Sequence, residues 1–185
     1  MTLETSSRCF SQLCADCADV LSPFTEQFVQ QILTPEFIGT WSYSDTYKEI
    51  VHGFAFLVDN VSQKDMQRCT TLMPLVVRPL IMPLNSALME IQDRNNPVNL
   101  EDGQMPTIDR SKIMEIQDML DLLADFFQGL GDIPKRLASP EQTHPLASLF
   151  AELWPFIDRL MTEFVHEDGV VESICRLVKH GMRSL

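Results

Sequence analysis

Residues 145–164, PLASLFAELWPFIDRLMTEF, set Leu146, Leu149, Leu153, Ile157, Leu160 and Phe164 at steps of three and four. That spacing gathers six apolar side chains on one stripe of a 3.6-residue helix. A second stripe upstream, Ile113, Ile116, Leu120, Leu123 and Phe127, has the same period. Outward from these two, the pattern predicts helices over 3–21, 24–33, 43–59, 62–92, 109–129, 143–165 and 168–184. Strand signals are lacking: there is no Asn-Gly turn, and neither Asp102-Gly103 nor Asp168-Gly169 lies between alternating apolar and polar runs.

Stop and start signals agree with this division. Ser22-Pro23 separates the first two helices and Thr34-Pro35 ends the second, while Ser62 and Asp168 are candidate caps for the fourth and last, each offering an oxygen to first-turn amides. Short connections predict antiparallel packing of consecutive helices. Two segments do not conform, Pro35–Ser42 and Asp93–Ile108; the second exceeds ordinary helix connections and is either disordered or a loop with a partner.

Prolines lie inside two helices: Pro155 in 143–165, and Pro74, Pro79 and Pro83 in 62–92. Each removes an amide donor and crowds the carbonyl four residues back, so bent helices are expected. Bent helices alternating with straighter ones suit stacked helical hairpins. A four-helix bundle competes, but seven helices with a 40–50-residue period favour an all-α solenoid of HEAT or armadillo type over residues 1–185.

Fourteen Lys and Arg against 26 Asp and Glu give a formal charge of −12 over 185 residues. Such a chain repels phosphate backbones and anionic lipid, so neither direct nucleic-acid binding nor membrane association is expected. The first residues, MTLETSSRCFSQLCADC, carry neither a basic region nor an unbroken apolar run, and no signal peptide is expected. Five cysteines, three of them (Cys9, Cys14, Cys17) within one helix, fit reduced thiols in cytosol or nucleus. Cys14 and Cys17 have zinc-ligand spacing but no nearby fourth ligand, so a packed interior is the simpler reading.

The four histidines are scattered, and the sequence has no HExxH, no GxSxG and no phosphate-cradling glycine loop. Neither an enzyme nor a cofactor is expected. Paired acids such as Asp16 and Asp19, or Asp118 and Asp121, lie one turn apart, as on a solvated face. The last helix stands out. Its spacing gathers Val171, Ile174, Val178, Met182 and Leu185 on one side, and Arg176, Lys179 and Arg183 within an arc of about 60° on another. Cations near a helix C-terminus, with Glu172 able to pair with Arg176, describe an ordinary wet face. The alternative is a ladder of guanidinium and ammonium groups for phosphates or carboxylates on an extended peptide.

Three strings bear on that choice: Gln142-Thr143-His144-Pro145, Leu153-Trp154-Pro155-Phe156, and Asp168-Gly169-Val170-Val171-Glu172 followed by Cys175-Arg176. Together they resemble the central HEAT repeats of the transportin-SR and importin-thirteen branch of the importin-β karyopherins. Weaker similarity of helix pattern extends over Leu3–Leu33 and Thr46–Asn60.

The resemblance implies a fragment of a nuclear import receptor, a superhelix of HEAT repeats shuttling between cytoplasm and nucleus with nucleoporins and the Ran GTPase as partners. It implies serine/arginine-rich (RS) or RG-rich RNA-binding proteins as cargo, held by a cationic row on an inner helix. Arg176, Lys179 and Arg183 match that row. Gly169 and Ser173 stand where arginines are expected, which weakens the match to phosphorylated RS cargo. The chain is expected to be an internal piece without the Ran-binding repeats, and its uncovered ends are expected to favour self-association. Asp16, Asp19 and Glu49 are candidates for holding basic parts of cargo. Two alternatives stand beside this: an importin-thirteen-like receptor for folded cargo, and a HEAT scaffold without a transport role.

Overall fold

The computed structural model describes residues 2–41, 44–95, 109–131 and 144–183, and these are helical with no strand among them. The helices are α1 (Leu3–Asp16), α2 (Ala18–Leu21), α3 (Thr25–Ile32), α4 (Pro35–Trp41), α5 (Asp45–Lys64), α6 (Met66–Asn95), α7 (Arg110–Gly129), α8 (Pro145–Glu163) and α9 (Asp168–Arg183).

Several boundaries differ from those the sequence predicts, each for a local reason. The expected first helix is interrupted at Cys17, whose φ of −120° and ψ of 24° leave the helical region. A single 3-10 turn, Ser22–Phe24, carries Pro23 into α3. Residues 35–41, expected to be irregular, form α4: Pro35 occupies its first position and the Thr34 hydroxyl accepts from the Phe37 amide at 3.2 Å. Ser62 does not cap α6. It lies inside α5, its hydroxyl donating back to the Asp59 carbonyl at 2.7 Å, and Asp65 does the capping by accepting from the Arg68 amide at 3.0 Å. Asp168 is likewise the first residue of α9 rather than its cap, since the Val171 amide donates to the Glu167 carbonyl. His144 caps α8 through Nδ1, which accepts from the Leu146 amide at 3.3 Å. Of the long connection expected at Asp93–Ile108, the first three residues end α6 and 96–108 lie outside the described residues.

The helices fall into two rows. In one, α5 packs between α1 and α7, and α9 packs on the far side of α7. In the other, α6 packs between α3 and α4 on one side and α8 on the other. Contacts advance together along neighbours of a row, so those neighbours are parallel. Arg8 and Phe10 meet Glu49 and Phe54, with the rings 5.7 Å apart, and Gln117 and Asp121 meet Gly169 and Arg176. Arg78 of α6 likewise reaches Glu152 of α8 at 3.4 Å. Across the rows the sense reverses: one residue, Asp65, joins α5 to α6, and Lys112 at the start of α7 pairs with Glu90 near the end of α6 at 3.0 Å.

One continuous core lies between the rows, from Val29 to Leu177. Both predicted stripes face it: Ile116, Leu120, Leu123 and Phe127 are buried, as are Leu146, Leu149, Leu153, Ile157, Leu160 and Phe164. Close approach of backbones is allowed where side chains are small. A Cβ at Gly53 would lie 2.6 Å from the Phe10 ring, and one at Gly129 2.8 Å from Ala55 Cβ. α6 stays helical through Pro74, Pro79 and Pro83. Two of the carbonyls their rings displace belong to the exposed residues Thr70 and Leu75, where water can satisfy them. Met66–Ile91 is long and apolar enough to cross a membrane by length and composition, and here it is the helix on which α3, α4, α5, α7 and α8 all pack.

Candidate functional site

The buried face of α9 consists of Val170, Ser173, Ile174, Leu177 and Gly181. This corrects the apolar side expected from spacing. Of the five residues expected there only Ile174 is on the buried face; Val171 and Val178 are half-buried, Met182 is exposed, and Leu185 lies outside the described residues. The helix is turned by about 80° from the expected orientation. Gly181 shows why, since a Cβ there would lie 1.7 Å from Cζ of Phe150, so α9 meets α8 through its smallest residue.

This rotation puts the cations roughly opposite the core. Lys179 and Arg183 are exposed and Arg176 is half-buried, all three on one ridge of the row formed by α1, α5, α7 and α9. Arg176 leans onto α7, with Nη1 3.3 Å from Oδ1 of Asp121. Asp118, Asp121 and Asp125 stand at steps of three and four along α7, so an acidic stripe borders the cationic ridge. Spacing alone describes Asp118 and Asp121 as a solvated face; the pairing of Asp121 with α9 depends on which helices are neighbours. Burial, and then the charges of Lys179, Arg183 and Arg176, hold the His180 imidazole below its ordinary value, with Asp125 opposing them.

The candidate acids are engaged at the other end of the row. Asp19 is paired with Lys64 and accepts from Asn60 at 2.8 Å, and these bonds hold its carboxyl below the ordinary range. Asp16 accepts from Gln12 at 2.9 Å, and Glu49 lies 3.9 Å from Arg8. They do not converge with the α9 ridge.

Cys14 is buried and its thiol is pushed up to about 12 by burial, as is that of Cys69. Cys17 is half-buried and Cys9 exposed. Among the described residues no group of three or more His, Cys, Asp or Glu is placed to hold a metal ion. The second row bears two open apolar grooves that spacing did not reveal. One, of about 420 Å³, is lined by Ile81, Met82, Leu153 and Phe156; the other, of about 340 Å³, by Leu33, Ile38, Pro79 and Met82. The α9 ridge can hold anions by charge and hydrogen bonds. No protein-family model, curated protein or solved structure matches this chain.

Proposed function

We propose that the chain is a non-enzymatic binding module, a HEAT-type α-solenoid segment of an import receptor resembling the transportin-SR branch. It captures an extended, anionic peptide segment such as a phosphorylated RS tail. The observation that supports this reading best is the placement of Arg176, Lys179 and Arg183 on one ridge opposite the buried face of α9. Two rows of parallel helices, antiparallel to each other, are the arrangement that stacked HEAT hairpins would produce. In the whole receptor, Ran and nucleoporins would be further partners, and the protein would shuttle between cytoplasm and nucleus.

The mechanism is reversible capture. Each charge-assisted bond from the ridge contributes about 1.5–3 kcal/mol at best, less where water screens it. Ordering a flexible tail costs part of that gain, which keeps the complex releasable. Binding should weaken steeply with salt, because exposed charges are screened within about 10 Å at 0.1 M.

Titration of a fluorescent RS peptide, with and without phosphate, tests this directly. Arg176→Glu with Arg183→Glu should weaken binding of the phosphorylated peptide by about tenfold or more and flatten its salt dependence, with helicity by circular dichroism unchanged. Unaltered binding would return the ridge to an ordinary wet face. The Arg176–Asp121 pair favours a second reading. In it Arg176 ties α7 to α9, and the mixed-charge surface receives folded cargo, as in an importin-thirteen-like receptor, or a scaffold partner. Capture of folded proteins with no affinity for the peptide would support that reading.

A further inference from the structure

α7 and α9 lie side by side and parallel, and their ionisable residues meet in a single register. Asp121 faces Arg176, whose Nη1 is 3.3 Å from Oδ1. One turn further along both helices, Asp125 acts on the His180 imidazole and opposes the cations around it. The two partners are 55 residues apart in each case, so the acids of α7 run along the flank of α9 rather than crossing it at one point.

The two members of the Asp121–Arg176 pair are not equivalent. The Asp121 side chain is 22% exposed and its Oδ1 is buried, whereas the Arg176 side chain is 41% exposed at the border of the ridge. No hydrogen bond reaches this Oδ1 among the described residues, so the charge of the guanidinium is what compensates it. Removing the cation from a buried carboxylate is costly. A peptide anion that draws Arg176 away from α7 therefore works against that cost. One that meets exposed Lys179 does not.

We infer that Asp121 is an internal competitor for the anionic peptide, occupying Arg176 in the free chain in the manner of a ligand carboxylate. This rests on the proposed capture of an anionic segment by the α9 ridge. It adds a regulating residue on the neighbouring helix. Bound peptide must displace an acid that is already seated, so the ridge holds it more weakly than its cations alone would, and the Asp121 contact is remade as the peptide leaves. Asp118 is exposed one turn earlier on α7 and lies outside this pair, which makes it the control for negative charge without contact.

Titration of the phosphorylated RS peptide against Asp121→Asn tests this, because asparagine keeps the shape of the side chain and removes its charge. Affinity should rise about three- to tenfold over wild type, and its salt dependence should steepen as Arg176 becomes available. Asp121→Ala carries the same expectation, and circular dichroism verifies that each variant folds. Asp118→Asn makes the same change in net charge and should raise affinity by less than about twofold, since an exposed charge is screened. With Arg176→Gln already in place, Asp121→Asn should add no more than that, because the two residues act through one contact. A wild-type chain that does not bind the peptide would overturn the capture reading and this inference with it. Binding by wild type that is unchanged or weakened in Asp121→Asn would overturn the inference alone, a loss making Asp121 a residue that positions Arg176 for the peptide. An equal rise in Asp118→Asn, or a rise that persists without Arg176, would also overturn it, since net charge would then be the whole effect.

Discussion

Asp59 is a carboxylate that the fold makes costly. It lies near the end of α5 against Gly131, whose φ of 59° ends the chain turn after α7, and its Oδ1 is buried with no hydrogen bond among the described residues. Burial raises its pKa above 3.8, only partly offset by Gln63. A carboxyl with a raised folded pKa favours the folded state below its unfolded value, and that advantage is lost as pH rises through the folded value. Asp59→Asn should therefore raise the melting temperature at pH 7, and the gain should vanish as pH falls toward 4. Thermal melts across that range check it; an equal gain at every pH would assign the effect to packing instead.

Between elements, Arg68 holds the start of α6 to the segment that precedes α3. Its guanidinium donates to Glu26 at 3.0 Å through Nε and to the Ser22 and Pro23 carbonyls at 3.1 and 2.9 Å. Arg68→Ala should cost about 1–2 kcal/mol in chemical denaturation, since two carbonyls and a carboxylate lose a forked donor. Arg68→Lys should recover only part of this, lacking the fork. Glu26 is about one-third exposed, so its ion pair alone contributes under about 1 kcal/mol. The Arg68 hydrogen bond holds its carboxyl below 4.5. That contribution is complete above the unfolded value and is lost as pH falls through the depressed one.

The helices and their buried stripes were legible wherever apolar residues recur without interruption, as in α7 and α8. α4 leaves only a start signal, Thr34-Pro35-Glu36, because its seven residues are too few to show a period. Spacing points to the wrong face of α9 for a different reason. Gly181 lines its buried side because Phe150 of α8 comes too close for anything larger, Ser173 is buried on the same side, and small residues leave no mark in a hydrophobic pattern. Val171, Val178 and Met182 leave a strong mark, yet the first two are only half-buried and Met182 is exposed. The cations of the candidate site could be read from spacing, but their acidic partner could not. Asp121 and Arg176 are 55 residues apart, and only the packing of α7 on α9 joins them.

For the whole molecule, charge is distributed unevenly. A chain of net charge −12 concentrates three cations on one ridge at the end of a row, and its acids at the other end are occupied by Lys64, Gln12 and Arg8. Under the proposed function these cations would attract an anionic segment in competition with Asp121, while the net charge of the chain discourages nucleic acid. Two cysteines allow this to be followed without mutation. Cys175 is exposed beside Arg176 on α9, and Cys9 is exposed on α1 at the opposite end of the same row. The most direct measurement is the rate of iodoacetamide labelling at each, by mass spectrometry. A saturating phosphorylated RS peptide should slow labelling of Cys175 several-fold and leave Cys9 unchanged. Equal rates at Cys175 with and without bound peptide, or protection of Cys9 instead, would contradict capture on the α9 ridge.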